Sequence, residues 1–345
     1  MKDISVLITA AGNVFMPGTT ACLRNNGERN IRIIGADMSD DATILRICDA
    51  AYQVPRGNDP KYMDSLLDIC QKEGVDVLLP IMSVELEALS KNKAAFEAIG
   101  TKVSVSAPEP LAIANNKRKL LDYLKENGLP CADYRKVRSL EALGKAAYDF
   151  GYPQNKVCVK ATESSGSRGF RILSETNSRY EAFIYDKPSS GIITLTELVS
   201  ILSEAEHFPE LIVMEYLPGN EYSVDLLADR GRVLYNCGRK SLRMENSIML
   251  EGEIVNSPAV TALCEKVTEA LGLDGNIGFD LKERADGTPL IMECNPRITA
   301  GTPFFALAGV NLPYLCVKKL LGEELPKAEL AVGKIIRRRW MEMTV

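Results

Sequence analysis

The sequence has few of the residues on which many metalloenzymes and hydrolases depend. It contains a single histidine, His207, so catalytic triads built on histidine and metal sites with several histidines are excluded. Its nine cysteines include no C-x-x-C pair, which indicates neither a zinc site nor a disulfide framework and favours a reducing, cytoplasmic setting. Any bound metal must therefore be held by oxygen ligands, which suits magnesium.

Long apolar runs and an excess of positive charge are also lacking. The longest apolar runs, at 4–11 and 75–82, have the length of strands and are too short to span a membrane. The N-terminal residues enter the first run directly, a pattern that predicts no secretory signal. A formal net charge of −5 argues against nucleic acid as a partner. The run Arg337, Arg338, Arg339 is too short to change this, and we interpret it as a solvated tail.

The first 114 residues alternate between strand and helix patterns. Continuous apolar runs, typical of strands buried on both faces, predict strands at 4–11, 31–36, 75–79 and 102–105. Between them, helical patterns lie at 16–26, 61–73 and 85–99. The alternation predicts a doubly wound α/β domain with a parallel sheet. Its first turn, at 11–18, has glycines but no complete G-x-G-x-x-G, so it indicates either a tight turn or, as an alternative, a dinucleotide site.

The chain after Pro108 and Pro110 is richer in strand patterns. We predict strands at 134–137, 156–160, 169–173, 211–216, 222–228, 233–239, 248–255, 276–282 and 290–293. The predicted helices are 117–127, 140–150, 195–204, 259–271, 303–308 and 312–321. The polar segment 174–209 receives no predicted role.

The strongest local signal is a predicted hairpin that carries three oxygen ligands. Glu293 and Asn295 share one face of a strand, because strand residues two apart point the same way, and Asp280 lies on the preceding strand. Such a set can hold magnesium and leave room for water and phosphate oxygens. Arg297 follows directly and is placed to stabilise charge on a transferring phosphoryl group. The alternative is a solvated hairpin that ends in a proline turn.

A lysine at the end of an apolar strand, followed by a loop of small residues, is the second signal. Lys160 would supply positive charge, and backbone N–H groups of the loop 161–169 can approach phosphate oxygens closely. The order of residues is not that of a Walker A motif. The alternative is a flexible hairpin loop with an exposed lysine.

A weaker third signal is the strand at 211–216, its turn, and the strand that follows. Backbone groups at such a hinge can bind the edge of an adenine, and the carboxylate of Glu221 just beyond it can reach ribose hydroxyls. An ordinary hairpin is the alternative.

The order and spacing of these signals resemble those of the ATP-grasp superfamily, in particular its carbamoyl-phosphate-synthase-like branch. The motifs that carry the resemblance are E-x-N-P-R at 293–297, the lysine and loop at 160–169, and A-N-N-K at 114–117. The resemblance covers residues 1–321. It implies an N-terminal α/β (pre-ATP-grasp) domain at 1–114, followed by a two-subdomain ATP-grasp fold: a small subdomain at 115–217 with the phosphate loop, and a large subdomain at 218–345 with the metal hairpin.

The resemblance also implies a role for each matching residue. The residues implied to contact ATP phosphates are Lys117, Lys160, Ser164, Ser165, Gly166 and Gly169. Those implied at the adenine hinge and the ribose are Glu215, Leu217 and Glu221. The ligands implied for Mg²⁺, or alternatively Mn²⁺, are Asp280, Glu293 and Asn295, with Arg297 near the γ-phosphate. Arg239 and Arg243 are expected to face the phosphoryl-transfer site, with a solvated basic face as the alternative.

Three features depart from the family pattern. The phosphate loop is rich in serine, and the segment 174–209 is longer than expected. Gly278 stands at the position where relatives often have the first metal ligand, and we expect Asp280, on the same strand face, to replace it.

The activity implied is that of an ATP-dependent carboxylate–amine ligase that works through an acyl phosphate and releases ADP and phosphate. Its expected partners are small-molecule substrates, without nucleic acid or membrane. The suggested assembly is a homodimer. One alternative is a single-unit carbamoyl phosphate synthase that phosphorylates bicarbonate or carbamate. Others are a non-catalytic ATP-binding regulator, which has less need of two metal-holding carboxylates, and a nicotinamide oxidoreductase, which needs the incomplete glycine turn.

Overall fold

Three β-sheets organise the chain. The computed structural model describes residues 1–39, 43–162, 169–175, 179–185, 191–245 and 248–339, without the side chains of residues 43, 44, 179, 181 and 182. Within the described chain no helix is both long and apolar enough to cross a membrane. All nine cysteines are free thiols.

The first sheet is parallel and has the strand order β3-β2-β1-β4-β5. Its strands are β1 (Ile4–Thr9), β2 (Ile31–Asp37), β3 (Ala50–Gln53), β4 (Val77–Leu79) and β5 (Lys102–Val103), joined by α1 (Met16–Arg24), α2 (Tyr62–Glu73) and α3 (Leu86–Ala98). This confirms the predicted doubly wound fold. β1 ends at Thr9 rather than at residue 11 because Ala10 has a φ of 48°. The prediction missed β3, an edge strand that has no continuous apolar run.

The second sheet has the order β6-β10-β7-β8-β9. Its strands are β6 (Tyr134–Val137), β7 (Val157–Ala161), β8 (Phe170–Leu173), β9 (Ile192–Ile193) and β10 (Leu211–Glu215). The helices that precede or accompany it are α4 (Pro108–Ala114), α5 (Lys117–Glu126), α6 (Leu140–Asp149), α7 (Arg179–Tyr185) and α8 (Leu195–Leu202). The segment without a predicted role thus contributes the edge strand β9 and the helix α8, whose Leu195 and Leu198 are buried in the core of this sheet.

The third sheet is antiparallel, with the order β15-β14-β11-β12-β13-β16. Its strands are β11 (Glu221–Asp229), β12 (Arg232–Glu245), β13 (Ile248–Val255), β14 (Gly275–Glu283), β15 (Pro289–Asn295) and β16 (Ile335–Arg337). Its helices are α9 (Pro258–Leu271), α10 (Thr302–Leu307) and α11 (Leu312–Leu320). The α9 residues Val260, Leu263 and Val267 pack against the sheet in one buried cluster.

The C-terminal arginines are not a solvated tail, and that interpretation is wrong. Arg337 belongs to β16, and its Nε lies 2.9 Å from Glu251 Oε2 on the paired strand β13. The Arg338 guanidinium lies 4.8 Å from the centre of the Phe15 ring and 5.3 Å from that of Phe304. Strand pairing, which alternates the side chains between the two faces, sends Arg338 inward while Arg337 stays exposed.

One hydrophobic cluster joins the first sheet to the third. It contains Val6 and Ile8 of β1 together with Phe304 and Phe305 of α10 and Leu315 of α11. The two helices therefore connect the sheets, and the carboxyl end of β1 faces the loop between β15 and α10.

Candidate active site

The strand register of the hairpin β14–β15 places the three predicted metal ligands on one face. Asp280 lies opposite Glu293, and Gly278 lies opposite Asn295. Asn295 Nδ2 donates to Asp280 Oδ2 at 3.3 Å. Asp280 thus offers carboxylate oxygens on the same strand face where Gly278, having no side chain, offers none.

The neighbouring strand β11 adds two residues to this face that the sequence analysis did not identify. Ser223 lies opposite Asp280, and its Oγ donates to Asp280 Oδ1 at 2.9 Å. Asp225 lies opposite Gly278, and its Oδ1 accepts from Thr299 Oγ1 at 2.7 Å. The signal was present, since Glu221, Ser223 and Asp225 alternate with apolar residues as on a strand with one polar face.

Lysines from the second sheet and its preceding helix lie close to the hairpin. Lys117, the first residue of α5, has its Nζ 3.5 Å from Glu293 Oε1. Lys160 lies on β7, where burial lowers its pKa; the charge of Lys117 also lowers it, whereas Glu293 and Asp280 raise it. Both cations therefore lie within electrostatic range of the acidic hairpin, as a site for a polyphosphate requires.

The predicted phosphate loop is described only at its ends. Ser164, Ser165 and Gly166 lie outside the described residues. Gly169 has a φ of 67°, a conformation that favours glycine, and its carbonyl oxygen accepts from Ala161 N at 3.0 Å. This bond closes the base of the loop next to Lys160.

The three residues predicted for adenosine have different surroundings. The Glu215 carboxylate accepts from Asp133 N at 2.8 Å and from Arg284 Nε at 3.0 Å, so it holds the hinge. Leu217 is buried in the same apolar cluster as Met214 and Leu290. Glu221 lies on the polar face of β11, where burial raises its pKa and the nearby Lys282 lowers it.

Two of the three predicted arginines lie beside the polar face that the hairpin shares with β11. Arg297 Nη2 donates to Asn295 Oδ1 at 3.0 Å, and its Nε donates to Ser83 Oγ at 3.2 Å. Arg239 lies opposite Ser223 on β12, buried, with its Nη2 4.0 Å from Asp225 Oδ2. Arg243 lies apart from them, because its side chain is 60% exposed and lies 3.4 Å from Glu245.

Arg297 connects the hairpin to the first sheet through a short turn. Ser83 begins the 3₁₀ turn Ser83–Glu85, which follows β4. The buried Glu85 carboxylate accepts from Thr9 Oγ1 at 2.7 Å and also from Tyr62 Oη, and burial raises its pKa. These bonds fix the turn, and with it the hydroxyl that accepts from Arg297.

The donor set fits a hard divalent cation. Throughout the described parts of the chain, no group of three or more His, Cys, Asp or Glu side chains could by itself hold a metal ion. The Asp280 and Glu293 carboxylates and the Asn295 carboxamide leave coordination positions for water and phosphate oxygens, the usual arrangement for magnesium.

The first turn of the first sheet is held by a carboxylate that would bind the ribose in a dinucleotide site. Asp37 ends β2, where an acidic residue in such sites binds ribose. Here its Oδ2 accepts from Gly12 N at 2.8 Å. The geometry favours the tight-turn interpretation.

Comparisons with known proteins match both ends of the chain. Residues 207–344 match the family model described as ATP-grasp in the biosynthetic pathway with Ter operon, and residues 6–104 match the PylC-like N-terminal domain.

Curated relatives include carbamoyl phosphate synthases. The large chain of the enzyme from Clostridium acetobutylicum is 24% identical over 296 residues, which cover 80% of this chain and 25% of that protein. The carbamoyl-phosphate synthase of Methanobrevibacter smithii is 23% identical over 307 residues, covering 84% of this chain and 74% of that protein. This chain therefore spans about a quarter of the length of the first relative.

Solved structures with the same fold have low sequence identity. The biotin carboxylase domain of the Hydrogenobacter thermophilus 2-oxoglutarate carboxylase, a dimer bound to MgADP, has a TM-score of 0.67 and 17% identity, covering 95% of this chain and 72% of that one. An ADP complex of N5-carboxyaminoimidazole ribonucleotide synthetase has a TM-score of 0.65 and 18% identity, covering 97% and 80% of the two chains.

Proposed function

Because this chain belongs to the ATP-grasp superfamily, in its carbamoyl-phosphate-synthase-like branch, we propose that it is an ATP-dependent ligase that joins a carboxylate to an amine. In the proposed reaction a carboxylate oxygen attacks the γ-phosphorus of ATP, and ADP leaves. The amine then attacks the carbonyl carbon of the acyl phosphate, which releases phosphate and a proton and leaves an amide.

The observation that best supports this reaction is the arrangement of acidic and basic side chains on one face of the third sheet. Asp280, Glu293 and Asn295 share one face, Arg297 bonds to Asn295, and Lys117 lies against Glu293. Acidic and basic groups thus lie next to one another at the hairpin, a setting that can bind a polyphosphate with its metal and receive a second anion.

Each residue of the site has a proposed task. We assign Lys117 and Lys160 to the ATP phosphates, and Glu221 to the ribose. The other proposed ATP contacts are Ser164, Ser165, Gly166, Gly169 and the backbone at Glu215 and Leu217. The proposed ligands for Mg²⁺ or Mn²⁺ are Asp280, Glu293 and Asn295, and a cation held there would neutralise charge on phosphate oxygens. Arg297 stabilises the negative charge of the transferring group, so catalysis rests on positioning and charge neutralisation.

Carbamoyl phosphate synthesis is the second candidate, and the curated relatives favour it. The Methanobrevibacter protein is matched over 74% of its length. In that case bicarbonate or carbamate would take the place of the organic carboxylate at the same site.

The decisive experiment measures ADP and AMP formation. The protein is incubated with Mg-ATP and a panel of carboxylates, and hydroxylamine is added to trap an acyl phosphate as a hydroxamate. A carboxylate-specific hydroxamate with stoichiometric ADP supports the ligase. ADP release that responds to bicarbonate alone supports the second candidate. ATP binding without turnover identifies a regulator, and AMP formation contradicts the mechanism.

A variant ties that activity to the site. Glu293→Gln removes one carboxylate charge without changing size, and we expect it to lose most turnover at limiting magnesium while the fold is kept. Glu141→Gln, on the exposed first turn of α6, is the matched control. Equal activity of the two variants would refute the assignment of Glu293.

The proposed assembly rests on a structural neighbour, and the proposed setting rests on the cysteines of this chain. A homodimer is supported by the biotin carboxylase domain dimer, and light scattering of the protein in solution tests it. The free thiols support a reducing, cytoplasmic setting.

A further inference from the structure

Two guanidinium groups from distant parts of the chain contact the same aromatic ring. The Arg239 guanidinium lies 5.2 Å from the centre of the Phe304 ring, and the Arg338 guanidinium lies 5.3 Å from it. The centre of the Phe15 ring lies 4.8 Å from the Arg338 guanidinium. The turn after β1, the strand β12, the helix α10 and the residue after β16 therefore converge there.

Among the described residues, the positive charge at this place exceeds the negative charge. Arg239 is buried, and its Nε and Nη1 have no hydrogen-bond partner among the described residues. Its acidic neighbour is Asp225, whose Oδ2 at 4.0 Å is also without a hydrogen bond in the described structure. Arg338 donates to the carbonyl oxygen of Ala300, and the described residues offer it no carboxylate within salt-bridge distance.

An unbalanced, partly buried cation is costly. Removing a charge from water carries a penalty that only paired, hydrogen-bonded partners offset. Burial, and then the charge of Arg239, lowers the pKa of Arg338 to about 10. The neighbouring Arg337, in contrast, is exposed and bonds to Glu251. An arginine kept at such a place without a carboxylate has its donors available for an anion from outside the chain.

Arg239 and Arg338 lie next to the proposed active site. Arg239 faces Ser223, which donates to Asp280. Arg338 reaches from there to Phe15 and to Ala300, in the loop that follows Arg297. The carboxyl edge of a parallel sheet, where Phe15 lies, is where ligands of open α/β sheets bind.

We propose that Arg338, backed by Arg239, binds an anionic group of a ligase substrate other than the group that reacts, while Phe15 and Phe304 hold the carbon skeleton beside it. The substrate class is then a small organic molecule with a second carboxylate or with a phosphate. This assignment rests on the proposed function, of which it specifies the substrate.

Arginine suits this task better than lysine. Its planar guanidinium bonds to a carboxylate or a phosphate through two parallel N–H groups and stacks on aromatic rings at the same time. The Arg338→Lys variant keeps the charge and loses both features, so it separates geometry from charge.

The test is calorimetric binding of two probes, succinate and inorganic phosphate, to the full chain. A saturating non-hydrolysable ATP analogue is added first to fill the nucleotide's own phosphate site. We expect saturable binding of one probe, weakened about tenfold or more in Arg338→Gln and less in Arg338→Lys. Arg337→Gln, which removes the same charge one residue away, should bind as the wild type does.

Each other outcome has a defined meaning. Equal binding by wild type and Arg338→Gln, equal losses in Arg337→Gln and Arg338→Gln, or no saturable binding of either probe overturns the assignment. The probe that binds distinguishes a carboxylate from a phosphate substrate. Failure of the ATP analogue to bind counts against the ligase. Succinate binding that depends on Arg338 in the absence of the analogue would still support the anion site. The melting temperature of each variant shows whether its fold is kept.

Discussion

Burial of Asp225 disfavours the charged form of its carboxyl group. Burial raises its pKa from the ordinary value of 3.8 to about 6, although Arg239 and the Thr299 hydroxyl lower it. Between these two pH values the folded protein keeps a proton that the unfolded chain has released. Stability associated with Asp225 is therefore present below the lower value and is lost as the pH rises through the higher one.

The Asp225→Asn variant tests this sign. The amide cannot titrate, so the variant should gain on the wild type by about 2 kcal/mol as the pH rises from about 4 to about 7. The measurement is the free energy of unfolding in urea for both proteins at several pH values. A difference that stays constant, or that moves in favour of the wild type, would show that Arg239 stabilises the charged carboxylate.

At the scale of an element, the loop between β15 and α10 packs closely against Asp225, Arg239 and Arg338. Thr299 bonds to Asp225, Ala300 accepts from Arg338, and Gly301 lies directly against Arg239. A Cβ on residue 301 would lie 1.7 Å from Arg239 Nη1, so the guanidinium would have to leave its place 5.2 and 5.3 Å from the centres of the Phe304 and Phe305 rings. The absence of a side chain at this position is therefore a condition for the loop to close over the arginine.

Gly301→Ala should for this reason destabilise the protein, by about 1–3 kcal/mol as overpacked positions do. Gly144→Ala is the control, because this glycine lies within α6 and nothing approaches its Cβ position within 4 Å. Alanine there should raise stability by up to about 1 kcal/mol. Thermal unfolding of both variants gives the comparison, and a neutral Gly301→Ala would mean that Arg239 moves freely.

At the scale of the whole molecule, the first sheet takes part in the proposed active site through a hydrogen bond from Arg297. Arg297 donates to Ser83, whose own carbonyl oxygen accepts from Asn115 Nδ2 at 3.0 Å. The turn that carries Ser83 is fixed by the buried Glu85. The first sheet thus positions an arginine that belongs to the third.

Ser83→Ala should lower the rate of ADP formation by about tenfold, the size expected for losing a hydrogen bond to a charged group. ATP affinity should change little, because Ser83 acts through Arg297, whose proposed task is to stabilise the charge of the transferring group. Steady-state ADP release and calorimetric ATP binding give the two values. Ser65→Ala, which removes a hydroxyl that donates to the carbonyl oxygen of Lys61 at the start of α2, is the control. Equal rates in both variants would deny Ser83 a positioning role.

The sequence alone determined the features that depend on neighbouring residues. Apolar runs of strand length predicted the parallel sheet, and a spacing of two residues predicted that Glu293 and Asn295 share a face. Short motifs that resemble those of the ATP-grasp superfamily pointed to Lys117 and Lys160, whose role at the ATP phosphates stays a prediction. These inferences hold because strand alternation and turn chemistry act over a few residues.

Only the tertiary structure decided what depends on strands distant in the chain. Ser223 and Asp225 meet Asp280 because β11 pairs with β14, about fifty residues later, and that register follows from packing of the whole sheet. Arg338 was misjudged because a basic run reads as solvated until its strand is paired and its neighbours are known. Local patterns therefore fix which groups are present, whereas long-range pairing fixes which of them meet.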